Sequence, residues 1–150
     1  MTFLSIIMAV IVIGGLILYM RADTMERKTY RPLGEVDKGG EAIDPDLVKQ
    51  RWAEITAMQS HGGPGLKNAL MEADKLLDYC MKGAGFKGEN MGDRLKTGGN
   101  RFSNLNAVWA AHKLRNQMAH DVHVDVVKPQ VEAAVRDLGQ AIKDLGVDLA

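Results

Sequence analysis

The sequence predicts an all-α protein, with an N-terminal transmembrane helix followed by an antiparallel four-helix bundle. Two observations support this fold class. The chain of 150 residues is 46% hydrophobic but only 5% aromatic, and beyond its first apolar run the hydrophobic residues are mostly Leu, Ala, Val and Met, which suit helix packing better than a β-sandwich. These residues also recur at helical spacing in four segments with short connections, which is typical of an antiparallel bundle.

Residues 1–20 are predicted to form the transmembrane helix. The run of 18 residues from Phe3 to Met20 contains no charge, and at about 1.5 Å per residue it spans roughly 27 Å, close to the hydrocarbon thickness of a bilayer. No basic residue precedes the run, whereas Arg21, Arg27, Lys28 and Arg31 follow it closely. The positive-inside rule therefore puts the N-terminus outside and the remaining chain in the cytoplasm. A cleaved signal peptide is the alternative, but the run lacks a basic start and small residues at its end.

We thus expect a single-pass protein of the cytoplasmic (inner) membrane that contacts lipid through residues 3–20. Residues 21–44 mix charges with Pro and Gly without a sustained period, which predicts a flexible tether. Residues 45–150 hold 14 Lys or Arg against 13 Asp or Glu, a balance of +1. This balance argues against strong non-specific binding of nucleic acid.

Capping residues and glycines mark the ends of the four long helices. The first helix follows Asp44-Pro45, a capping residue before a proline, and ends at the segment from His61 to Gly65. The second is predicted from about Leu66 to Met81. The third starts after Ser103 as its cap, and the last starts near Pro129.

Each predicted helix has one apolar face that is expected to form the core. These positions are Leu47, Val48, Trp52, Ile55, Met58, Leu66, Ala69, Leu70, Ala73, Leu76, Leu77, Cys80, Leu105, Val108, Trp109, Ala111, Leu114, Met118, Val131, Ala134, Val135, Leu138, Ile142 and Leu145. The single Cys80 excludes an intrachain disulfide framework and a Cys-rich zinc site. Between the second and third helices, Gly83 to Gly99 holds six of the 16 glycines and is predicted to be irregular, with a short helical turn from Met91 to Lys96.

The third helix ends inside the hexapeptide Arg115-Asn116-Gln117-Met118-Ala119-His120, which combines residue types suited to phosphodiester cleavage. The planar cation of Arg matches phosphate geometry, and a His of ordinary pKa, about 6.5, can both accept and donate a proton near neutrality. On a continuous helix, however, Arg115 and His120 point about 140° apart. They can share a site only if the helix unwinds near Met118 or if two protomers meet. Asn116 shares a face with His112 and with His120 and is able to orient an imidazole.

This hexapeptide resembles the motif of the HEPN superfamily, helical-bundle domains whose nuclease members carry an Arg, usually followed by a polar residue, and a His four to six residues further on. Arg115, Asn116 and His120 match that pattern, and the resemblance covers roughly Pro45 to Leu149. It implies a homodimer that cleaves RNA without a metal or another cofactor. His120 would then act as general acid or base, Arg115 would stabilise the transition state and Asn116 would position one of them.

Two further stretches, Glu72 to Tyr79 and Met91 to Lys96, resemble a family of small membrane-anchored bacterial proteins that has no assigned function.

The glycine-rich connection, taken with its flanking residues from Lys82 to Arg101, is the only clearly basic part of the domain, at about +3. Its cations, which are predicted RNA phosphate contacts, are Lys82, Lys87, Arg94, Lys96 and Arg101. An ordinary solvated loop is the alternative. No metal site is predicted, because the spacing of His112, His120, His123, Asp121 and Asp125 fits no zinc pattern.

Ribonuclease activity has two competitors. One is a non-catalytic helical interaction or scaffold module at the membrane that binds an unknown protein partner, which the near-neutral charge favours. The other is a nucleotide-binding or phosphate-binding module that uses Arg115 and the basic connection as a clamp.

Overall fold

A computed structural model of the chain describes residues 42–120 and 127–150. Within these two ranges the protein is all-helical and contains no strand. The elements in chain order are α1 (Pro45–Met58), a 3₁₀ turn (Gln59–His61), α2 (Gly62–Gly83), α3 (Met91–Gly98), a second 3₁₀ turn (Gly99–Arg101), α4 (Leu105–His120) and α5 (Lys128–Asp144). The predicted all-α class is confirmed, with α3 as a short helix among four longer ones.

The predicted transmembrane helix (residues 1–20) lies outside the described residues, as does most of the tether. In the part of the chain that the structure describes, no helix is both long and apolar enough to cross a membrane. The membrane span and its orientation stay predictions.

Helix α2 is central, because it packs against α1, α4 and α5. Its fully buried side chains include Leu70 and Leu77, which join Val108 of α4 and Leu138 and Ile142 of α5 in one hydrophobic core. Burial of each such side chain contributes about 1.5–3 kcal/mol. The apolar face predicted for the last helix is confirmed, since all six of its positions are buried.

The start of α1 follows the predicted capping pattern. The Asp44 carboxylate accepts hydrogen bonds from the backbone N–H groups of Asp46 (3.0 Å) and Leu47 (3.1 Å), and Pro45 occupies the first turn. The Asp44 N–H also donates to the Tyr79 hydroxyl at 3.2 Å, which connects the start of α1 to α2. Leu47 is 38% exposed, so its predicted place in the core is wrong. It neighbours the buried Val48, and consecutive helical residues point about 100° apart.

The predicted start of the second helix is also wrong. Helix α2 begins at Gly62 and includes the glycine and proline residues that were expected to separate the first two helices. Pro64 is tolerated there because the first N–H groups of a helix have no intrahelical partner. Gly65 is required by a close approach, since a Cβ atom there would collide with the Met58 carbonyl and lie 2.8 Å from His61 Cβ.

The predicted cap of α4 is corrected as well. The side chain that bonds to the first turn of α4 is that of Asn104 rather than Ser103. The Asn104 Oδ1 accepts a hydrogen bond from the Ala107 N–H at 3.1 Å. Ser103 instead donates its N–H and hydroxyl to Asp144 Oδ2, at 2.7 and 2.6 Å, and so joins the start of α4 to the end of α5. Helix α4 runs unbroken to His120, the last residue of the hexapeptide.

Candidate functional site

Four polar side chains of α2 and α4 contact one another in a closed ring, which we call the polar ring: Asp74, His112, Asn116 and Arg115. His112 Nδ1 lies 2.8 Å from Asp74 Oδ1, and His112 Nε2 lies 3.2 Å from Asn116 Nδ2. Arg115 Nη1 donates to Asn116 Oδ1 at 2.9 Å, and Arg115 Nε lies 3.4 Å from Asp74 Oδ2. Asp74 is only 4% exposed, so the ring closes around a buried carboxylate.

Helical spacing explains why α4 presents three members of the ring together. His112 and Asn116 are four residues apart, and His112 and Arg115 are three apart, so all three lie on one side of α4. His112 and Arg115 contact Asp74 of α2 directly. Asp74 lies on the opposite helix beside the buried Ala73 and Leu77. A buried carboxylate requires hydrogen bonds or a cation, and α4 supplies both.

The contacts are mutually consistent if His112 is neutral with its proton on Nδ1. That proton is donated to Asp74, and the lone pair on Nε2 accepts from the Asn116 amide. The Asn116 oxygen then faces Arg115, as its hydrogen bond requires. This tautomer is assigned from the hydrogen-bond partners.

Arg115 is held mainly through Asn116. Its Nε is close enough to Asp74 for an ion pair, but it is buried and makes no hydrogen bond. The Asp74 contact is therefore an ion pair without a hydrogen bond. The hydrogen bond that orients the guanidinium is the one from Nη1 to Asn116.

The polar ring borders a polar cleft of about 470 Å³. Its walls are α2, the start of α3 with the residues before it, and α4. Another cavity, of about 300 Å³, lies between α1 and α2, and none of the predicted site residues lines it. The predicted site residues Arg115, Asn116, Lys82 and Arg94 line the polar cleft.

The structure brings only part of the predicted catalytic set together. Arg115 and Asn116 line the cleft, whereas His120 is exposed at the end of α4 and does not. Since α4 is unbroken, Arg115 and His120 point about 140° apart. The helix does not unwind between them, so one chain does not bring these two side chains to one site.

Most of the predicted phosphate contacts are engaged with carboxylates or backbone carbonyls. Arg94 is 4% exposed, and its Nε and Nη2 donate to Asp78 Oδ1 at 2.8 and 2.6 Å. Its Nη1 donates to the Gly88 carbonyl at 2.6 Å. Lys82 pairs with Asp78 at 2.8 Å, and Lys96 pairs with Asp93 at 3.3 Å. The burial of Arg94 counts against its predicted contact with RNA.

Arg101 also stabilises the glycine-rich connection. Its Nη1 donates to the Ala84 carbonyl at 2.8 Å, and its guanidinium carbon lies 4.7 Å from the centre of the Phe86 ring. A connection with few helical hydrogen bonds leaves carbonyls that need donors, and arginines meet that need. Lys87 is exposed on this connection.

Candidate metal ligands do not cluster in residues 42–120 and 127–150, where no group of three or more His, Cys, Asp or Glu side chains could hold an ion. Asp121, His123 and Asp125 lie outside these ranges. Cys80 is fully buried, as predicted, and burial raises the pKa of its thiol to about 12. It is therefore a packing residue rather than a nucleophile.

The sequence contains a partial signal for the polar ring. His112 stands three residues before Arg115 and four before Asn116, so its position on the same face was predictable. Asp74 was missed, because its partners lie on another helix.

The chain matches no family model, and no curated protein or solved structure is significantly similar to it.

Proposed function

We propose that residues 45–150 form a HEPN-like domain that cleaves RNA without a metal, at a site completed by two copies of the chain. Residues 1–20 would anchor it to the inner face of the membrane. The supporting observation is the position of Arg115, whose guanidinium borders the polar cleft and is oriented by Asn116. A cation fixed in this way can stabilise charge that develops on a phosphate without first reorganising.

The chemistry is a transesterification within the RNA. The 2′-oxygen forms a bond to phosphorus while the bond to the 5′-oxygen breaks, which yields a 2′,3′-cyclic phosphate and a free 5′-hydroxyl. His120 of one copy accepts the proton of the 2′-hydroxyl, and solvent supplies a proton to the leaving 5′-oxygen. Arg115 of the other copy neutralises the charge on the non-bridging oxygens in the transition state.

Two copies are needed because of the geometry of α4. Arg115 faces α2, whereas His120 is exposed at the last residue of the same helix. No side-chain rotation removes an angular separation of about 140°. A second chain that approaches the end of α4 can supply the missing imidazole.

A non-catalytic interaction module is the second candidate. The observation that favours it is the polar ring itself, in which Asp74 partners both His112 and Arg115 within one chain. In that case Arg115 would serve to bury a carboxylate, and His120 would interact favourably with the end of α4. A nucleotide clamp has less support, because Lys82 and Arg94 at the cleft both pair with Asp78.

The test is cleavage of mixed-sequence RNA by the purified full-length chain in mild detergent with EDTA. The wild type should release cyclic-phosphate ends, and Arg115→Ala and His120→Ala should each lower the rate by about 100-fold or more. Lys113→Ala is the matched control, since Lys113 is exposed on the same helix. Cleavage that survives both substitutions would reject this assignment, and a wild-type chain without activity would favour the interaction module.

A further inference from the structure

The hydrogen bonds of the polar ring all run in one direction. With the His112 proton on Nδ1, Arg115 donates to Asn116, Asn116 donates to His112, and His112 donates to Asp74, over distances of 2.9, 3.2 and 2.8 Å. Each middle side chain thus donates at one end and accepts at the other. The series ends on a carboxylate that is almost completely buried and can only accept.

This direction makes the orientation of Arg115 depend on His112. An Asn amide can turn over, and the reversed Asn116 would present its NH₂ group to Arg115, so that two donors would face each other. The lone pair on His112 Nε2 selects the other orientation, because it accepts from the NH₂ group. Asp74 in turn keeps the His112 proton on Nδ1 and leaves Nε2 free to accept.

The neighbouring packing keeps His112 in place. Its side chain is 14% exposed, and the edge of its ring lies against Trp109, with the ring centres 6.2 Å apart. Because Arg115 Nε makes no hydrogen bond of its own, the path through Asn116 and His112 is the directional restraint on the guanidinium.

We propose that His112 is a positioning residue, which acts through Asn116 to hold Arg115 in the orientation that engages the phosphodiester. This inference rests on the proposed ribonuclease function. It adds a residue outside the Arg115 to His120 hexapeptide, and it assigns Asp74 the task of holding the tautomer of His112.

Two substitutions separate positioning from general structural support. His112→Ala removes both contacts of the imidazole. His112→Gln puts an amide oxygen near the former place of Nε2, where it can still accept from Asn116. We expect His112→Ala to lower kcat for RNA cleavage by about 10- to 100-fold with KM changed less than about twofold, and His112→Gln to recover most of the loss. Equal kcat for wild type and His112→Ala, or equal loss in both variants, would overturn the inference.

A second readout does not depend on cleavage. The Arg115 Nε–Hε signal in NMR spectra of the full-length chain, assigned by its loss in Arg115→Lys, reports whether the guanidinium is restrained. It should be sharp and slow to exchange in the wild type and in His112→Gln, and it should resemble that of a solvent-exposed arginine in His112→Ala. Circular dichroism verifies that each variant is folded. An unchanged signal in a folded His112→Ala protein contradicts the positioning role, whereas absent cleavage in a wild type with a restrained Arg115 rejects only the proposed reaction.

Discussion

His112 Nδ1 lies 2.8 Å from Asp74 Oδ1, although the two residues are 38 positions apart in the chain. This contact joins α4 to α2 at the edge of the polar cleft, and both side chains are mostly buried there, 14% and 6% exposed. The pair therefore contributes to the fold as well as to the candidate site.

Asp74→Ala should destabilise the domain by about 2–4 kcal/mol, because it removes the acceptor from His112 Nδ1 and the paired carboxylate from Arg115. The measurement is urea unfolding followed by circular dichroism. Asp148→Ala removes an exposed carboxylate and should change the free energy of unfolding by less than about 0.5 kcal/mol. Similar losses in the two variants would show that the polar ring adds no particular stability.

Asp78→Ala tests the second buried ion pair. The Arg94 side chain is 5% exposed, and without Asp78 only the Gly88 carbonyl remains as its hydrogen-bond partner within residues 42–120 and 127–150. We expect a loss of about 3 kcal/mol in the free energy of unfolding.

The matched control for Asp78→Ala is Glu72→Ala, which removes another acid and lysine pair of the same helix. Lys75 and Glu72 are 61% and 43% exposed, so their pair should contribute less than about 1 kcal/mol. A loss from Asp78→Ala that does not exceed the control would contradict a structural role for Arg94.

Gly139→Ala should destabilise the contact between α5 and α1. A Cβ atom at this position would lie 2.5 and 2.6 Å from two ring carbons of Trp52, and a large indole cannot withdraw without disturbing its neighbours. Overpacking of this kind costs about 1–3 kcal/mol. Gly63→Ala, which meets no atom within 4 Å in α2, should be neutral or stabilising by up to about 1 kcal/mol. Thermal unfolding compares the two, and an unchanged melting temperature for Gly139→Ala would argue against this packing.

Cys80 predicts a pH dependence of stability. Its pKa is raised from 9.0 to about 12 by burial, so the folded chain keeps the thiol proton where the unfolded chain loses it. The unfolded state therefore binds fewer protons between pH 9 and pH 12, and stability falls as the pH rises through that window. Relative to Cys80→Ala, the wild type should lose up to about 1.4 kcal/mol for each pH unit. Parallel stability curves for the two proteins between pH 9 and pH 10.5 would contradict the buried, protonated thiol.

Local patterns made much of the fold predictable. The Asp44-Pro45 cap depends on neighbouring residues, and the apolar face of α5 depends on the helical period. Both patterns can be recognised in the sequence alone. The early start of α2 was not predictable in this way, because Gly65 is needed where α2 closely approaches the end of α1. Ser103 bonds to Asp144 rather than capping α4 for a similar reason, since its partner is 41 residues away.

In the candidate site, too, some residues were predictable from a local pattern and others depend on how the helices pack. Arg115 and Asn116 were identified from one short segment, and both line the cleft. The role of Asp74 depends on how α2 and α4 pack, and no local pattern of α2 indicates it. The separation of Arg115 from His120 follows from helical geometry alone, provided that the helix is continuous, as it is in the structure.

The central claim, that two chains complete one ribonuclease site, is tested most directly by mixing two inactive variants. Arg115→Ala and His120→Ala proteins are unfolded together and refolded in equal amounts, so that mixed dimers form, and RNA cleavage is measured in EDTA. A site built from Arg115 of one chain and His120 of the other is intact once in each mixed dimer, so activity should return to about a quarter of the wild-type rate. A mixture as inactive as its separate components, from a wild type that cleaves RNA after the same treatment, would contradict the shared site.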